Sequence, residues 1–488
     1  MTIPHSPIAH SLFRAYDVRG VYADNLTEHS VRLIGQAIGS QLRDMGTQSV
    51  VLGRDGRLSS PTLAQAVTEG LLQAGCHVTD LGMLPTPVLY FAVQSGLAPH
   101  GVMITGSHNP PNENGIKIVI NGECQYNEQI QNLYERIIRG ELWHQPHAGK
   151  LQTAPILPAY QQAVCQQIHL QRRLRIGVDC GNGATALLAE QLFRDIGCEV
   201  HPLFCDVDGN FPNHSPDPTQ PANLQALQTL VREQALDIGI AFDGDGDRLI
   251  AVDGDGHILW PDRILTLLAQ SVLPEQPGRV VAYDVKCTYR LDKAIHDAGG
   301  IPGMCISGHS LLKKYIREYN AVLGGEFSGH IVLRDRGMEY DDGMYIAARL
   351  LEILAQETAS PADVFARIPE GFSTPEHKLR FASYEAATAA MAIWMQDQQL
   401  QAQRLITLDG MRAEYADGWG LARASNTSPS ITLRFEADTP GRLEDIRALF
   451  RADIQRLQLT PEALPFYSCC LTPQGCASHE QETRQSAR

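Results

Sequence analysis

Short apolar runs alternate with helical patterns over most of the chain. The run Ser49-Val50-Val51-Leu52-Gly53 leads into the turn Arg54-Asp55-Gly56. A helical pattern from Ser60 to Gly75 follows, with a serine cap and Pro61 at the first helical position. Residues 100–105 and 115–120 are further continuous apolar runs, of the length of buried strands. The order of strand, glycine loop and helix returns at residues 174–179, with Gly181-Asn182-Gly183 and a helix through Ile196, and this unit closes on the apolar run 237–242. It returns again at residues 279–284, with a helix from Thr288 to Ala298, and runs on to Val322-Leu323-Gly324-Gly325. Beyond Pro369 the pattern changes to alternating strands such as residues 430–436 and a final helix over 442–457, which predicts a smaller α+β unit.

Three α/β units of similar order suggest an internally repeated architecture without a sequence repeat. Residues 151–155 read as a linker, and the Pro369 to Pro375 segment reads as a second boundary. The expected domains are residues 1–152, 153–260, 261–369 and 370–467, followed by a polar tail, 468–488, that reads as flexible.

Composition fits this picture. A chain of 488 residues has room for about three or four domains. With 43% apolar and 19% charged residues it is an ordinary globular protein. Its formal net charge of −15 argues against broad binding to nucleic acid or to anionic membrane. Any anionic ligand therefore needs a local basic pocket. No leader-like or membrane-spanning apolar stretch is present, so a cytoplasmic protein is expected. Its eleven cysteines are scattered. Cys76, Cys165, Cys198 and Cys305 read as reduced, small apolar residues, and Cys469, Cys470 and Cys476 lack the partner spacing of a zinc site.

Four stretches carry candidate chemistry. In Thr105-Gly106-Ser107-His108-Asn109-Pro110, Ser107 stands at the end of a buried strand, where α/β sheets place ligands. Such a serine can accept and return a phosphoryl group, although the stretch is also ordinary turn chemistry. In Asp243-Gly244-Asp245-Gly246-Asp247-Arg248, alternate carboxylates can converge on one hard cation. An EF-hand would want glycine where Arg248 stands and glutamate where Gly254 stands; a Mg²⁺ site held by Asp243, Asp245 and Asp247, with Arg248 for an anion, fits better. Asp253-Gly254-Asp255-Gly256 looks similar but reads as a hairpin turn. In Gly325-Glu326-Phe327-Ser328-Gly329-His330, Glu326, Ser328 and His330 alternate and can line one wall facing vicinal hydroxyls; a plain turn is the alternative. Arg423-Ala424-Ser425-Asn426-Thr427 offers a phosphate cradle, though any Ser/Thr-rich loop looks much the same.

Together and in this order, the four stretches resemble the α-D-phosphohexomutase superfamily, and most closely its bacterial phosphomannomutase/phosphoglucomutase group. Residues 13–20 and 283–288 add to the resemblance, which spans residues 11 to 466. It implies three doubly wound mixed α/β domains and a C-terminal α+β domain around a central cleft. The Glu326-Phe327-Ser328 loop is similar to the mannose/glucose form, with Phe327 in place of the usual Met; the Phe side chain is expected to point away from the sugar.

The resemblance further implies a phosphoserine at Ser107 and a hexose 1,6-bisphosphate that turns over within the cleft. Ser107, His108, Lys117, Arg248 and His330 form the expected catalytic set, with His330 and Lys117 as acid/base candidates. Ser107, Asp243, Asp245 and Asp247 would hold Mg²⁺. Tyr16, Arg19, Lys286, His309, Glu326, Ser328, Arg423, Ser425, Asn426 and Thr427 would bind substrate. The C-terminal domain is expected to close by rotating about residues 369–375. Glucose 1,6-bisphosphate is the expected activator, a phosphorylated hexose the partner, and a monomer the working form. Phosphoglucosamine mutase is the nearest alternative. A serine-nucleophile, metal-dependent phosphatase and a Ca²⁺-binding module are more distant ones.

Overall fold

The computed structural model of the chain describes residues 8–145, 149–425 and 428–459. Each apolar run of the sequence is a strand buried on both faces, and this explains why the runs are continuous rather than alternating. In the first sheet the order is Glu113–Ile120, His100–Ile104, Ser49–Arg54, His77–Met83. In the second it is Leu249–Asp253, Ile238–Phe242, Arg175–Asp179, Glu199–Leu203. In the third it is Ile331–Leu333, Leu323–Gly325, Val280–Asp284, Ile301–Cys305. In all three the first pair is antiparallel and the other two pairs are parallel.

The repeated order seen in the sequence is thus a repeated topology. Its consequence for function is direct. The Ser107, Asp243 and Glu326 loops each link a parallel strand to its antiparallel return, so they occupy the same topological position in three successive sheets. The fourth sheet is antiparallel and is packed by the helices Tyr384–Gln396 and Pro440–Arg456. Three α/β domains and a distinct C-terminal domain make up the chain. One apolar cluster runs from Val51 and Leu89 through Tyr160, Phe193 and Phe242 to Tyr345 and Phe365, so the first three domains share a core. The fourth has a core of its own around Trp394, Phe435 and Phe450.

Several local expectations differ from the structure. Residues 151–155 are not simply a linker. Leu151–Thr153 forms a parallel edge strand beside His77–Met83, with all three of its residues exposed. Backbone bonding and the Gln152 side chain, which donates to Thr79 Oγ1 at 3.0 Å, place it there, so it left no apolar signal. The helix expected through Ile196 is a 3₁₀ turn, Ala184–Leu187, followed by Ala189–Asp195. Within the boundary segment, Phe372–Ser373 pairs with the end of Ser430–Ala437. Residues 253–256 do make a hairpin turn, tightened by Asp253 Oδ1, which accepts from the Asp255 and His257 amides at 3.0 and 2.8 Å. The eight described cysteines are free. Cys469, Cys470, Cys476 and the tail lie outside the described residues. Among the described residues no helix is long and apolar enough to cross a membrane.

Candidate active site

Ser107 is buried, with φ +50°. A non-glycine residue rarely adopts this conformation without support from its surroundings. Here the support is dense. The Ser107 amide donates to Thr105 Oγ1 at 2.8 Å, and Asp55 Oδ2 accepts from the Gly106 amide at 3.1 Å. Arg57, 1% exposed, donates to the carbonyls of Ser107 and Asn109 at 2.7 Å, Pro110 at 2.5 Å and Glu113 at 3.0 Å, while its Nε faces Asp55 at 3.2 Å. In the sequence, residues 54–56 read as a turn, and nothing there gives Asp55 or Arg57 a role. The available signal was a pair of charges with no solvent-facing pattern beside an apolar strand.

From this loop Ser107 Oγ donates to Asp243 Oδ2 at 3.0 Å, across the boundary between the first two sheets. His108 Nδ1 lies 3.2 Å from the same hydroxyl, and burial, with Arg248 and Arg19 nearby, pushes the His108 imidazole well below its usual pKa. Arg19 donates to the Gly106 carbonyl at 2.5 Å and is held by Asp17.

Asp243, Asp245 and Asp247 are fully buried, and a ligand oxygen of each lies within 4.8 Å of the others. Burial, then Asp245 and Asp247, push the Asp243 carboxyl well above the usual range. Burial also opposes charge on Asp245, but the Lys117 ammonium overrides it and holds that carboxyl below the range. Lys117 Nζ sits 2.7 Å from Asp245 Oδ2 and 2.5 Å from Asp247 Oδ2. Burial disfavours the Lys117 charge, yet the two carboxylates outweigh it and shift the ammonium upward. A neutral base would need the opposite shift. Asp245 Oδ1 and Asp247 Oδ1 are buried and accept no hydrogen bond among the described residues. An oxygen-only set with orphaned carboxylate atoms suits a hard divalent cation.

Arg248 links this cage to the third sheet. Its Nε donates to His330 Nε2 at 3.0 Å and lies 3.7 Å from Asp243 Oδ2. His330 Nδ1 lies 3.0 Å from Asp341 Oδ2, and Lys313 Nζ holds the other oxygen of Asp341 at 2.6 Å. Burial alone would raise the Asp341 carboxyl, but Lys313 and His330 pull it well below the usual range. His309 stacks on His330 with ring centroids 5.1 Å apart. Asp341 and Lys313 were not singled out in the sequence, because neither belongs to a glycine loop.

Glu326 is buried. It accepts from the Gly308 amide and, at 3.3 Å, from Ser328 Oγ. Phe327 points the other way, stacked on Trp260 with centroids 5.5 Å apart. Tyr16 reaches over from the first domain to donate to the Ser307 carbonyl at 2.9 Å, and Asp409 of the fourth domain accepts from the Ser307 amide at 3.0 Å. Arg423 donates to Asp409 at 2.9 Å, and Lys286 Nζ lies 3.0 Å from Glu376. Ser425 accepts from the Ser428 amide at 3.3 Å; Asn426 and Thr427 lie outside the described residues. The cations from all four domains do gather around this line of contacts. Each is met by a carboxylate, however, so the cleft is a lattice of paired charges rather than a bare basic pocket.

Models of the phosphoglucomutase/phosphomannomutase α/β/α domains I, II and III match residues 10–143, 158–256 and 260–372, and the C-terminal domain of that family matches 379–452. The chain is 46% identical over 455 residues to a phosphomannomutase/phosphoglucomutase of Pseudomonas aeruginosa, covering 93% of this chain and 97% of that protein. It is 42% identical over 451 residues to a phosphoglucomutase of Neisseria meningitidis, covering 92% and 97%. The crystal structure of a phosphoglucomutase/phosphomannomutase family protein from Burkholderia thailandensis matches with a TM-score of 0.88 at 43% identity, covering 94% of this chain and 100% of that one. These likenesses define an intramolecular phosphotransferase. The chain belongs to the phosphoglucomutase/phosphomannomutase family of α-D-phosphohexomutases.

Proposed function

We propose that the chain is a phosphomannomutase/phosphoglucomutase that interconverts hexose 1-phosphates and hexose 6-phosphates through a phosphate carried on Ser107 and a hexose 1,6-bisphosphate. The observation that carries the reading is the hydrogen bond from Ser107 Oγ to Asp243, which puts a buried nucleophile on the edge of a three-carboxylate cage. Asp243, Asp245, Asp247 and the Ser107 phosphate would hold Mg²⁺, which when bound neutralises charge on the transferring phosphoryl group.

The chain's own residues do the rest. Arg248, which donates to His330 Nε2 at 3.0 Å, would release that nitrogen when it turns to the transferring phosphate, and Nε2 then takes the proton of the attacking sugar hydroxyl. A bond forms from that oxygen to phosphorus while the bond from Ser107 Oγ breaks. The bisphosphate then turns over, and its other phosphate returns to Ser107. Lys117 Nζ, 2.7 Å from Asp245 and 2.5 Å from Asp247, places a cation beside the cage. Glu326 and Ser328 read two sugar hydroxyls, and Arg423, Lys286, Ser425, Asn426 and Thr427 grip the phosphate that is not moving. Tyr16 and His309 close the wall between the first and third domains. The free cysteines among the described residues suit a reducing, cytoplasmic setting, and a monomer is the proposed working form.

A coupled assay tests the reading. Glucose 1-phosphate, mannose 1-phosphate and glucosamine 1-phosphate are supplied in turn with Mg²⁺ and catalytic glucose 1,6-bisphosphate. Turnover of the first two, lost in Ser107→Ala, is expected. Turnover of the amino sugar alone would make the chain a phosphoglucosamine mutase, and free phosphate matching product would make it a phosphatase.

A further inference from the structure

The turn that carries Lys286 is held from outside its own domain. Arg412 Nη1, from the fourth sheet, donates to the carbonyls of Val285 and Cys287, both at 2.7 Å. Arg434 Nη1, from the same sheet, donates to the carbonyl of Lys286 between them. Three consecutive carbonyls of the third domain are thus satisfied by two arginines of the C-terminal domain. Both guanidinium groups stand against Trp419, at 3.9 and 5.2 Å from its ring.

Arg434 has a second contact that Arg412 lacks. Its guanidinium lies 3.5 Å from the centre of the Phe327 ring, and that ring also stacks on Trp260. Phe327 sits between Glu326 and Ser328, the residues facing the sugar. Arg434 therefore touches both recognition elements of the third domain at once: the Lys286 turn through its N–H edge and the Glu326–Ser328 loop through its flat face. It is 2% exposed. A small cavity lined by Arg434 and Trp260 also borders the linker residues Pro369, Glu370 and Gly371, so the group stands where the C-terminal domain would pivot.

We propose that Arg434 is a positioning residue that ties the Lys286 turn and the Glu326–Ser328 loop to the orientation of the C-terminal domain, so that both are set together when that domain moves. Only a planar guanidinium can serve a carbonyl with its edge and an aromatic ring with its face; lysine cannot do both. Phe327 matters for the same reason, because a ring offers a cation a face that an aliphatic side chain does not. This inference rests on the mutase reading above, since it concerns how hexose phosphate is held.

The test uses the full chain and measures KM and kcat for glucose 1-phosphate in wild type, Arg434→Lys, Phe327→Leu and the double variant, with thermal melts alongside. Each single variant is expected to raise KM by about three- to thirty-fold, the range from an exposed to a desolvated cation–ring contact, with a smaller change in kcat. The double variant should be no worse than the worse single one. KM unchanged in both single variants, or effects that multiply in the double, would overturn the proposal. So would a fall in kcat at constant KM, which reports only a lower folded fraction. If Arg434→Lys does not fold, Phe327→Leu decides alone, because it leaves every Arg434 hydrogen bond in place: raised KM supports the proposal and unchanged KM overturns it. A wild type inactive on all three sugar phosphates would instead sink the mutase reading, and this inference with it.

Discussion

Arg57 donates to the carbonyl of Ser107 at 2.7 Å, and the same guanidinium also takes the carbonyls of Asn109, Pro110 and Glu113. One buried cation thus fixes the loop that aims the nucleophile, and Phe211 of the second domain covers it at 5.0 Å. Lysine keeps the charge beside Asp55 but cannot serve four carbonyls from one plane. Arg57→Lys is expected to fold and to lose about 10²-fold in kcat, the scale of a displacement of about 1 Å at a reacting centre. Arg57→Ala leaves Asp55 buried and unpaired and is expected to cost about 3–5 kcal/mol of stability. Steady-state kinetics and denaturant unfolding check the two; wild-type kcat in Arg57→Lys would show that the loop holds itself.

Asp341, 3.0 Å from Nδ1, is placed to favour the His330 tautomer with its hydrogen on Nδ1 and its lone pair on Nε2, where Arg248 donates. Arg248 already donates to Nε2, so in the neutral ring the hydrogen belongs on Nδ1, toward Asp341. His330→Ala should lower kcat by about 10²–10⁴-fold. Asp341→Asn should approach that loss, and the double variant should be no slower than the slower single one, because the two act as a unit. Full activity in Asp341→Asn would leave Asp341 a partner of Lys313 only.

The parts of this site legible in the sequence are those in which one short stretch carries its own chemistry. Ser107, Asp243, Asp245, Asp247, Glu326 and Ser328 stand in glycine loops directly after apolar strands, and the three loops prove to share one topological position. What could not be read was long-range. Arg57 acts on residues about fifty positions away, and Asp341 meets His330 only because the helix Gly343–Gln356 begins beside the cage. The edge strand Leu151–Thr153 has no buried side chain, so nothing in its composition announced it. The paired charges of the cleft were invisible for the same reason. The cations were recognisable, but Asp409 and Glu376 became the partners of Arg423 and Lys286 only on folding.

Asp342 gives a pH dependence with a definite sign. It is buried, accepts from Tyr160 Oη at 2.8 Å and caps the helix Gly343–Gln356 through the Tyr345 amide at 3.0 Å. Burial outweighs these bonds and pushes its carboxyl up to about 7. Between the ordinary carboxyl pKa of about 3.9 and that value, the folded state holds a proton that the unfolded state has released. The contribution of Asp342 to stability is therefore fully present below about pH 4 and is lost as pH rises to 7, by roughly 4 kcal/mol at most. Asn retains the cap and does not titrate. The stability difference between wild type and Asp342→Asn should shift in favour of the variant from pH 5 to pH 7.5 in urea unfolding. A constant difference would mean that Asp342 is ionised throughout.

The serine loop and the metal loop also meet backbone to backbone, at the Ser107 carbonyl and Gly244. A Cβ on Gly244 would stand 2.5 Å from the carbonyl oxygen of Ser107, a distance that real Cβ atoms essentially never show. Neither partner can give way cheaply. The serine loop is fixed by Arg57, and Gly244 is fixed by its carbonyl, which accepts from the Ala184 amide at 2.9 Å. Gly244→Ala should therefore push the two loops apart and separate Ser107 from Asp243 while leaving Asp243, Asp245 and Asp247 grouped. Two measurements divide the effect. Mg²⁺ should still raise the melting temperature of Gly244→Ala, because a ligand at 100 times its Kd stabilises the folded state by about 2.7 kcal/mol wherever the cage survives. Turnover of glucose 1-phosphate should fall by about 10²-fold, because the nucleophile is displaced. Loss of the Mg²⁺ shift together with activity would place the damage in the cage itself, and retention of both would show that the loops accommodate the methyl group.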